Sequence, residues 1–237
     1  MADRLYFRQL LSGRDFAVDD GIARQMVNFV YLIGDRETGE ALLVDPAYGV
    51  GELLDVIAGD GMRLVGVLAT HHHPDHVGGS FMSYTVEGIA RLLESVDVPI
   101  HVHEAERDSI RATTGVAADD LVTHRSGDVV QAGAIGVQLL HTPGHTPGSQ
   151  CFLVDQLLVS GDTLFLEGCG RTDLPGSDTE SMYDSLQRLA ALPDDTAVFP
   201  GHRYSPQSAA SLAAVKELNY VYKPASKQAW LQMFGGR

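Results

Sequence analysis

Basic side chains are scarce in this chain: 17 Lys and Arg stand against 31 Asp and Glu, giving a net charge of -14 over 237 residues. Nucleic-acid binding normally needs a basic stripe. None is present, so nucleic acid is excluded as a partner and anionic membranes are disfavoured on the same ground. Cysteine is almost absent. Cys151 and Cys169 form neither a disulfide framework nor a C-x-x-C metal motif, which fits a reducing compartment. Long apolar runs are missing too. The opening stretch MADRLYFRQLLSGRDFAVDD has arginines and aspartates where a signal peptide needs an unbroken apolar core, and no later segment is long enough to span a bilayer. The chain is therefore expected in the cytoplasm, with no membrane partner. It also lacks a linker, a low-complexity tract and a charge block, so residues 1–237 are expected to form one domain with a short C-terminal tail.

What is present is an alternation of apolar strand-like runs with helical patterns, the signature of an α/β domain with helices packed on sheets. MVNFVYLIG and ALLVDPA, separated by DRETGE, predict a hairpin, and GELLDVIAGDG predicts a helix ending at a glycine. The polar segment from Glu104 to Asp128 predicts a helix followed by an exposed loop.

The chemistry concentrates in THHHPDHVGG, Thr70 to Gly79, where four histidines and an aspartate fall within six consecutive positions. A histidine tag sits at a terminus and carries no interior aspartate after a turn. Four apolar runs end at metal-capable side chains: LVGVLAT at His71, VQLLHTPG at His145, QLLVSGD at Asp162 and TAVFPG at His202. Functional groups gather where the strands of α/β sheets end, so these four ends predict a single site. His71 and His73, two apart on extended chain, project to one side and His72 to the other. Pro74 then turns the chain and brings in Asp75 and His76. The natural division gives one ion to His71, His73 and His145, the other to Asp75, His76 and His202, with Asp162 bridging. Two divalent metal ions are thus the expected cofactors. Imidazole and carboxylate ligands suit zinc, the first expectation, and equally iron or manganese. Asp75, His76 and Asp162 are the residues expected to act in catalysis as well as binding. Asp45, in LLVDPA, is read as an acceptor behind the ligands that fixes a histidine tautomer, or else as a turn residue before Pro46. His101, His103, His124 and His141 are expected to be hydrogen-bonded or solvated, outside the ligand set.

The set His71-x-His73-x-Asp75-His76, with TPGHTPGS around His145, SGDTLF around Asp162 and PGHRY around His202, resembles the metallo-β-lactamase superfamily. The resemblance implies an αββα sandwich with a dinuclear site at one edge of two packed sheets. EGCGRTDLPG, Glu167 to Gly176, is similar to the loop after the bridging aspartate in glyoxalase II, the hydroxyacylglutathione hydrolase, and in the related persulfide dioxygenases. β-Lactamases of this fold carry a non-histidine at the position of His76 and are generally exported. The tRNA-processing nucleases need a basic surface. Persulfide dioxygenases use one iron, at the equivalents of His71, His145 and Asp162, and typically place alanine before the last histidine. Here that position is Gly201, and VGG follows His76, both closer to the hydrolases.

The resemblance thus implies hydrolysis of a small-molecule thioester of a 2-hydroxy acid and a small thiol, with a persulfide dioxygenase as the alternative and a lactonase third. Two cations would lower the pKa of a water between them from about 15.7 towards about 7, providing the attacking hydroxide. Glyoxalase II has a helical C-terminal region with cationic contacts to glutathione, whereas only a short tail follows PGHRY here. Candidate substrate contacts are Arg171, Cys169, Tyr204 and Lys223. Arg171 has a buried ion pair with Asp173 as its competing reading, and Cys169 packing as a small apolar group. Tyr220, Tyr222, Lys223 and Lys227 have a solvated helix face as theirs.

Overall fold

Phe29–Asp35 is buried at every position, because alternate residues meet two different apolar layers. Val30 and Leu32 pack under a layer of helices, while Phe29, Tyr31 and Ile33 pack against a second sheet. This two-sided burial, repeated by Ala41 and Leu43 against Leu42 and Val44, dictates helices outside and sheets face to face. The computed structural model describes residues 4–81 and 83–235. The ends of the expected 1–237 domain and Met82 lie outside them.

The first sheet has the order β1-β2-β3-β4-β7-β8. Its strands are β1 (Leu5–Leu11), β2 (Phe29–Asp35), β3 (Glu40–Val44), β4 (Arg63–Leu68), β7 (Ile100–His103) and β8 (Leu121–His124); β5 (Gly79–Phe81) and β6 (Tyr84–Val86) form a separate hairpin. The second sheet comprises β9 (Val129–Ala132), β10 (Ile135–His141), β11 (Gln150–Val154), β12 (Leu157–Gly161), β13 (Ala197–Pro200) and β14 (Ala210–Ser211), in the order β14-β13-β12-β11-β10-β9. The predicted hairpin is β2 and β3, antiparallel with Tyr31 opposite Val44. The parallel step from β3 to β4 needs a crossover, which α2 (Val50–Gly59) supplies by burying Val50, Leu53 and Ile57. Short helices α1 (Gly21–Met26), α3 (Pro74–Val77), α4 (Ile89–Leu93) and α5 (Arg107–Thr114) accompany the first sheet. The second is covered by α6 (Thr179–Ala190), α7 (Leu212–Leu218) and α8 (Lys227–Phe234), whose Met182, Leu186, Val215 and Trp230 share a core with Leu158 and Val198. The result is the αββα sandwich. No helix among the described residues is long and apolar enough to cross a membrane.

One expectation needs correcting. The segment from Glu104 to Asp128 contains α5 but also a strand, β8, which pairs parallel with β7. Its pattern of one buried residue followed by exposed Val122 and Thr123 is that of an edge strand, too polar to register as one from sequence.

Candidate metal centre

Beyond a bend at Thr70, His73 has the extended backbone that precedes a proline, with φ of -65° and ψ of 142°. His71 and His73 bring their rings together, and His72 points away, its Nδ1 2.6 Å from Glu106 Oε2. Pro74 then opens α3, a single turn that carries Asp75 and His76 into the interior. His145 lies on the loop between β10 and β11, Asp162 follows β12 directly, and His202 follows β13.

These seven residues converge. His71 Nε2 and His145 Nε2 each lie 3.0 Å from His73 Nδ1. His202 Nε2 lies 3.2 Å from His76 Nε2 and 3.4 Å from Asp75 Oδ2. Asp162 spans the two groups: Oδ1 is 3.4 Å from His76 Nε2, and Oδ2 is 3.4 Å from His202 Nε2 and 3.7 Å from His145 Nε2. Three sets of donors, His71/His73/His145, His71/His76/Asp162 and Asp75/His76/His202, each have all their atoms within 4.8 Å of one another.

The remaining ring nitrogens explain which atoms face inward. His145 Nδ1 is 2.8 Å from the Arg171 carbonyl and His202 Nδ1 is 2.7 Å from the Met26 carbonyl; carbonyls only accept, so both Nδ1 atoms carry the proton. His76 Nδ1 donates to Asp45 Oδ2 at 2.8 Å. Thr70 Oγ1 donates to the same carboxylate at 2.6 Å and so must accept from His71 Nδ1, 3.0 Å away. Four imidazoles thus commit Nδ1 to an outward hydrogen bond and turn Nε2 towards the centre, the nitrogen left to bind a metal. Asp45 lies behind these rings, held at a φ of 52° while its second oxygen accepts from the Thr70 amide at 2.7 Å.

Lone pairs facing one another at such distances repel unless a cation lies among them, and the buried Asp162 Oδ1 has no hydrogen-bond partner. The donor set therefore fits two divalent ions, held by His71, His73 and His145 on one side and by Asp75, His76 and His202 on the other, with Asp162 shared. The sides differ electrostatically. Burial and the neighbouring imidazoles push His71 well below its usual value, and burial, reinforced by His145 and His72, pushes His73 down to about 4. Burial opposes charge on His76 too, but Asp162, Asp75 and Asp45 outweigh it and hold that imidazole up at about 9. His202 is likewise raised. For Asp75 and Asp162 burial is again outweighed, here by His76 and His202, and both stay well below the usual carboxylate range.

Several contributors carry no signal in the sequence. Glu106 is buried and accepts from His72, from Thr146 Oγ1 at 2.6 Å and from the Gly148 amide at 2.8 Å. One carboxylate thereby ties the 71–73 segment to the loop that bears His145. Asn28 donates to Asp75 Oδ2 at 3.3 Å, and the Phe29 amide holds the Gly201 carbonyl at 2.8 Å beside His202.

On the open side lies a cavity of about 280 Å³ whose walls include Asp162, Phe165, Cys169, Arg171, Tyr204 and Tyr220. A second of about 280 Å³ shares Cys169, Arg171 and Tyr220 among its walls and is also lined by Trp230 and Phe234 of the tail. Tyr204 stacks on His202, with centroids 4.7 Å apart and planes 5° from parallel; burial, then Asp162 and Asp75, raise its phenol well above the ordinary value. Burial pushes the Cys169 thiol up to about 12, which fits packing rather than reaction. Arg171 forms the ion pair with Asp173, two contacts of 2.9 Å, but on the surface and not buried. Lys223 is a correction: its ammonium donates to the Lys216 and Glu217 carbonyls at the end of α7 and lines neither cavity. Lys227 is likewise engaged, by Glu180 and Asp184.

Residues 24–202 match the family model of the metallo-beta-lactamase superfamily. The hydroxyacylglutathione hydrolase of Aeromonas salmonicida is 37% identical over 178 residues, covering 75% of this chain but only 62% of that protein. BaeB of Bacillus velezensis, a probable polyketide biosynthesis zinc-dependent hydrolase, is 30% identical over 204 residues, 85% of this chain and 84% of that protein. The crystal structure of ETHE1 from Myxococcus xanthus superposes with a TM-score of 0.79 at 31% identity, covering 98% of this chain and 90% of that one. With the donor set in place and three quarters of its length matched, this chain belongs to the metallo-β-lactamase superfamily.

Proposed function

We propose that the protein is a dinuclear metal-dependent hydrolase of glyoxalase II type, cleaving the thioester of a 2-hydroxy acid and a small thiol, with zinc as its metal. The observation that carries this reading is Asp162, whose two oxygens face donors of both groups. The likeness to hydroxyacylglutathione hydrolases supports the choice of substrate. Two divalent ions at such a donor set supply Lewis acidity to a carbonyl oxygen and an acidified water.

The chain's own residues set the remaining terms. The Nδ1 protons of His71, His76, His145 and His202 are committed to acceptors, so these rings orient and do not shuttle protons. Tyr204, kept protonated, offers an O–H at the cavity wall for a substrate oxygen. The cavity running past Cys169 and Tyr220 to Trp230 receives the thiol half. A free thiol has a pKa near 8.5, so the thiolate leaves without a dedicated general acid, and none is required of the cavity walls.

A second reading, a persulfide dioxygenase with one iron, is favoured by a single observation: the likeness to ETHE1 runs over nearly the whole of both chains. The deciding experiment follows loss of thioester from lactoylglutathione and from lactoyl-N-acetylcysteamine on zinc-loaded enzyme, with Asp162→Ala as the blank. Hydrolysis of either, abolished in the variant, is the expected result. No hydrolysis of either, together with oxygen uptake on a persulfide by iron-loaded protein, would overturn it.

A further inference from the structure

Gly201 sits between β13 and His202, and its place has no room for a side chain. A Cβ there would lie 2.3 Å from Asp162 Oδ1, 3.0 Å from the Gly161 carbonyl carbon and 3.1 Å from His76 Cε1. The glycine is not needed for its backbone, since its φ is not positive. Nor can that backbone withdraw. The Gly201 amide donates to the Gly161 carbonyl at 2.8 Å, and the Gly201 carbonyl accepts from the Phe29 amide at 2.8 Å, so the strand end is fastened on both sides. The component free to move is the Asp162 carboxylate, whose Oδ1 has no hydrogen bond to lose.

We propose that Gly201 is the positioning residue that admits the second ion: the absent side chain leaves the space in which Asp162 Oδ1 faces His76 while Oδ2 faces His202 and His145. A methyl group at residue 201 rotates the carboxylate out of that space. The group of three imidazoles, His71, His73 and His145, keeps its donors and their mutual distances, whereas Asp75, His76 and His202 lose the shared carboxylate from their side. Nuclearity in this chain is then set by one hydrogen atom on residue 201. The inference rests on the dinuclear reading above.

The test is zinc stoichiometry and stepwise chelator competition on Gly201→Ala beside wild type. The expected result is one ion held as in wild type and the other weakened about 10- to 100-fold, the range for residues that orient ligands without touching the metal. Two ions held with unchanged affinity, or both weakened alike, would overturn the proposal. A wild type that itself saturates at one ion would instead sink the dinuclear reading. The mode of action is read from metal-free melting temperatures in a cycle with Asp162→Ala. If the methyl acts through Asp162, Gly201→Ala lowers the melting temperature in wild type and leaves it unchanged in the Asp162→Ala background. An equal drop in both backgrounds places the clash on the backbone and contradicts the proposal. Should Gly201→Ala alone fail to fold, recovery of folding in the double variant supports it and failure of both refutes it.

Discussion

The chain has ten histidines, and they gather in two places that differ in everything but residue type. At the metal centre, five imidazoles turn ring nitrogens towards one another and towards Asp75 and Asp162, each ring but His73 held from behind by a hydroxyl, a carboxylate or a carbonyl. In the outer patch His101 Nδ1 meets His124 Nε2 at 2.9 Å, and His103 stacks on His141 with centroids 3.7 Å apart. Those four form pairs only; among the described residues every set of three or more donors belongs to the metal centre. The lesson is that histidine density does not mark a metal site. Convergent lone pairs, rings fixed from behind and a shared carboxylate do.

The comparison is broken most severely by Asp162→Ala. Both ions should be lost and thioester hydrolysis should fall by at least about 10³-fold, in line with the several kcal/mol that metal polarisation supplies. His202→Ala should weaken mainly one ion. Equal metal loss in the two variants, measured by mass spectrometry of the dialysed proteins, would contradict the division of ligands.

Removing the supports behind the rings sharpens the contrast between the two sides of the centre. Asp45→Ala frees His76 and also Thr70, which holds His71, whereas Glu106→Ala unties His72 from Thr146 and Gly148. Each should cost about 10- to 100-fold in zinc affinity, Glu106→Ala at the His71, His73 and His145 side and Asp45→Ala at both. Chelator competition on the double variant should show both ions weakened, and a double variant no worse than either single one would refute separate supports.

The outer patch should show itself through pH. Burial, followed by His124, lowers His101 to about 4, and burial, followed by His141, lowers His103 to about 4. The unfolded chain binds these protons near 6.5 and the folded chain only near 4, so stability contributed above 6.5 is lost as pH falls through that window. Replacing His101 and His103 by glutamine should flatten this acid limb in urea titrations between pH 6.5 and 4. An unaltered limb would deny the patch that role. The smallest effect belongs to Arg171→Ala, which removes only an exposed ion pair with Asp173. KM for the thioester should rise by at most about 5-fold with kcat unchanged; a drop in kcat alone would place Arg171 nearer the chemistry.

The convergence of the seven candidate ligands was legible in the sequence because strand ends announce themselves: an apolar run, then a histidine or aspartate, four times over. Asp45 was legible for a weaker reason, a carboxylate at the end of a strand before a proline. Glu106 was not, since HEAE in a polar segment has no spacing relation to His72 or Thr146; only the parallel pairing of β4 with β7 brings it there. Thr70 and Asn28 act through side chains, and Met26 and Arg171 through carbonyls, whose placement no residue pattern encodes. Lys223 misled for the same reason. A lysine in a tail reads as a cation for a substrate, and nothing in the sequence reveals that the open carbonyls of α7 lie within its reach.

The most direct measurement is native mass spectrometry of the wild-type protein across a zinc titration. Saturation at two ions per chain is the predicted result. A plateau at one ion would contradict the shared role of Asp162 and the hydrolytic reading built on it.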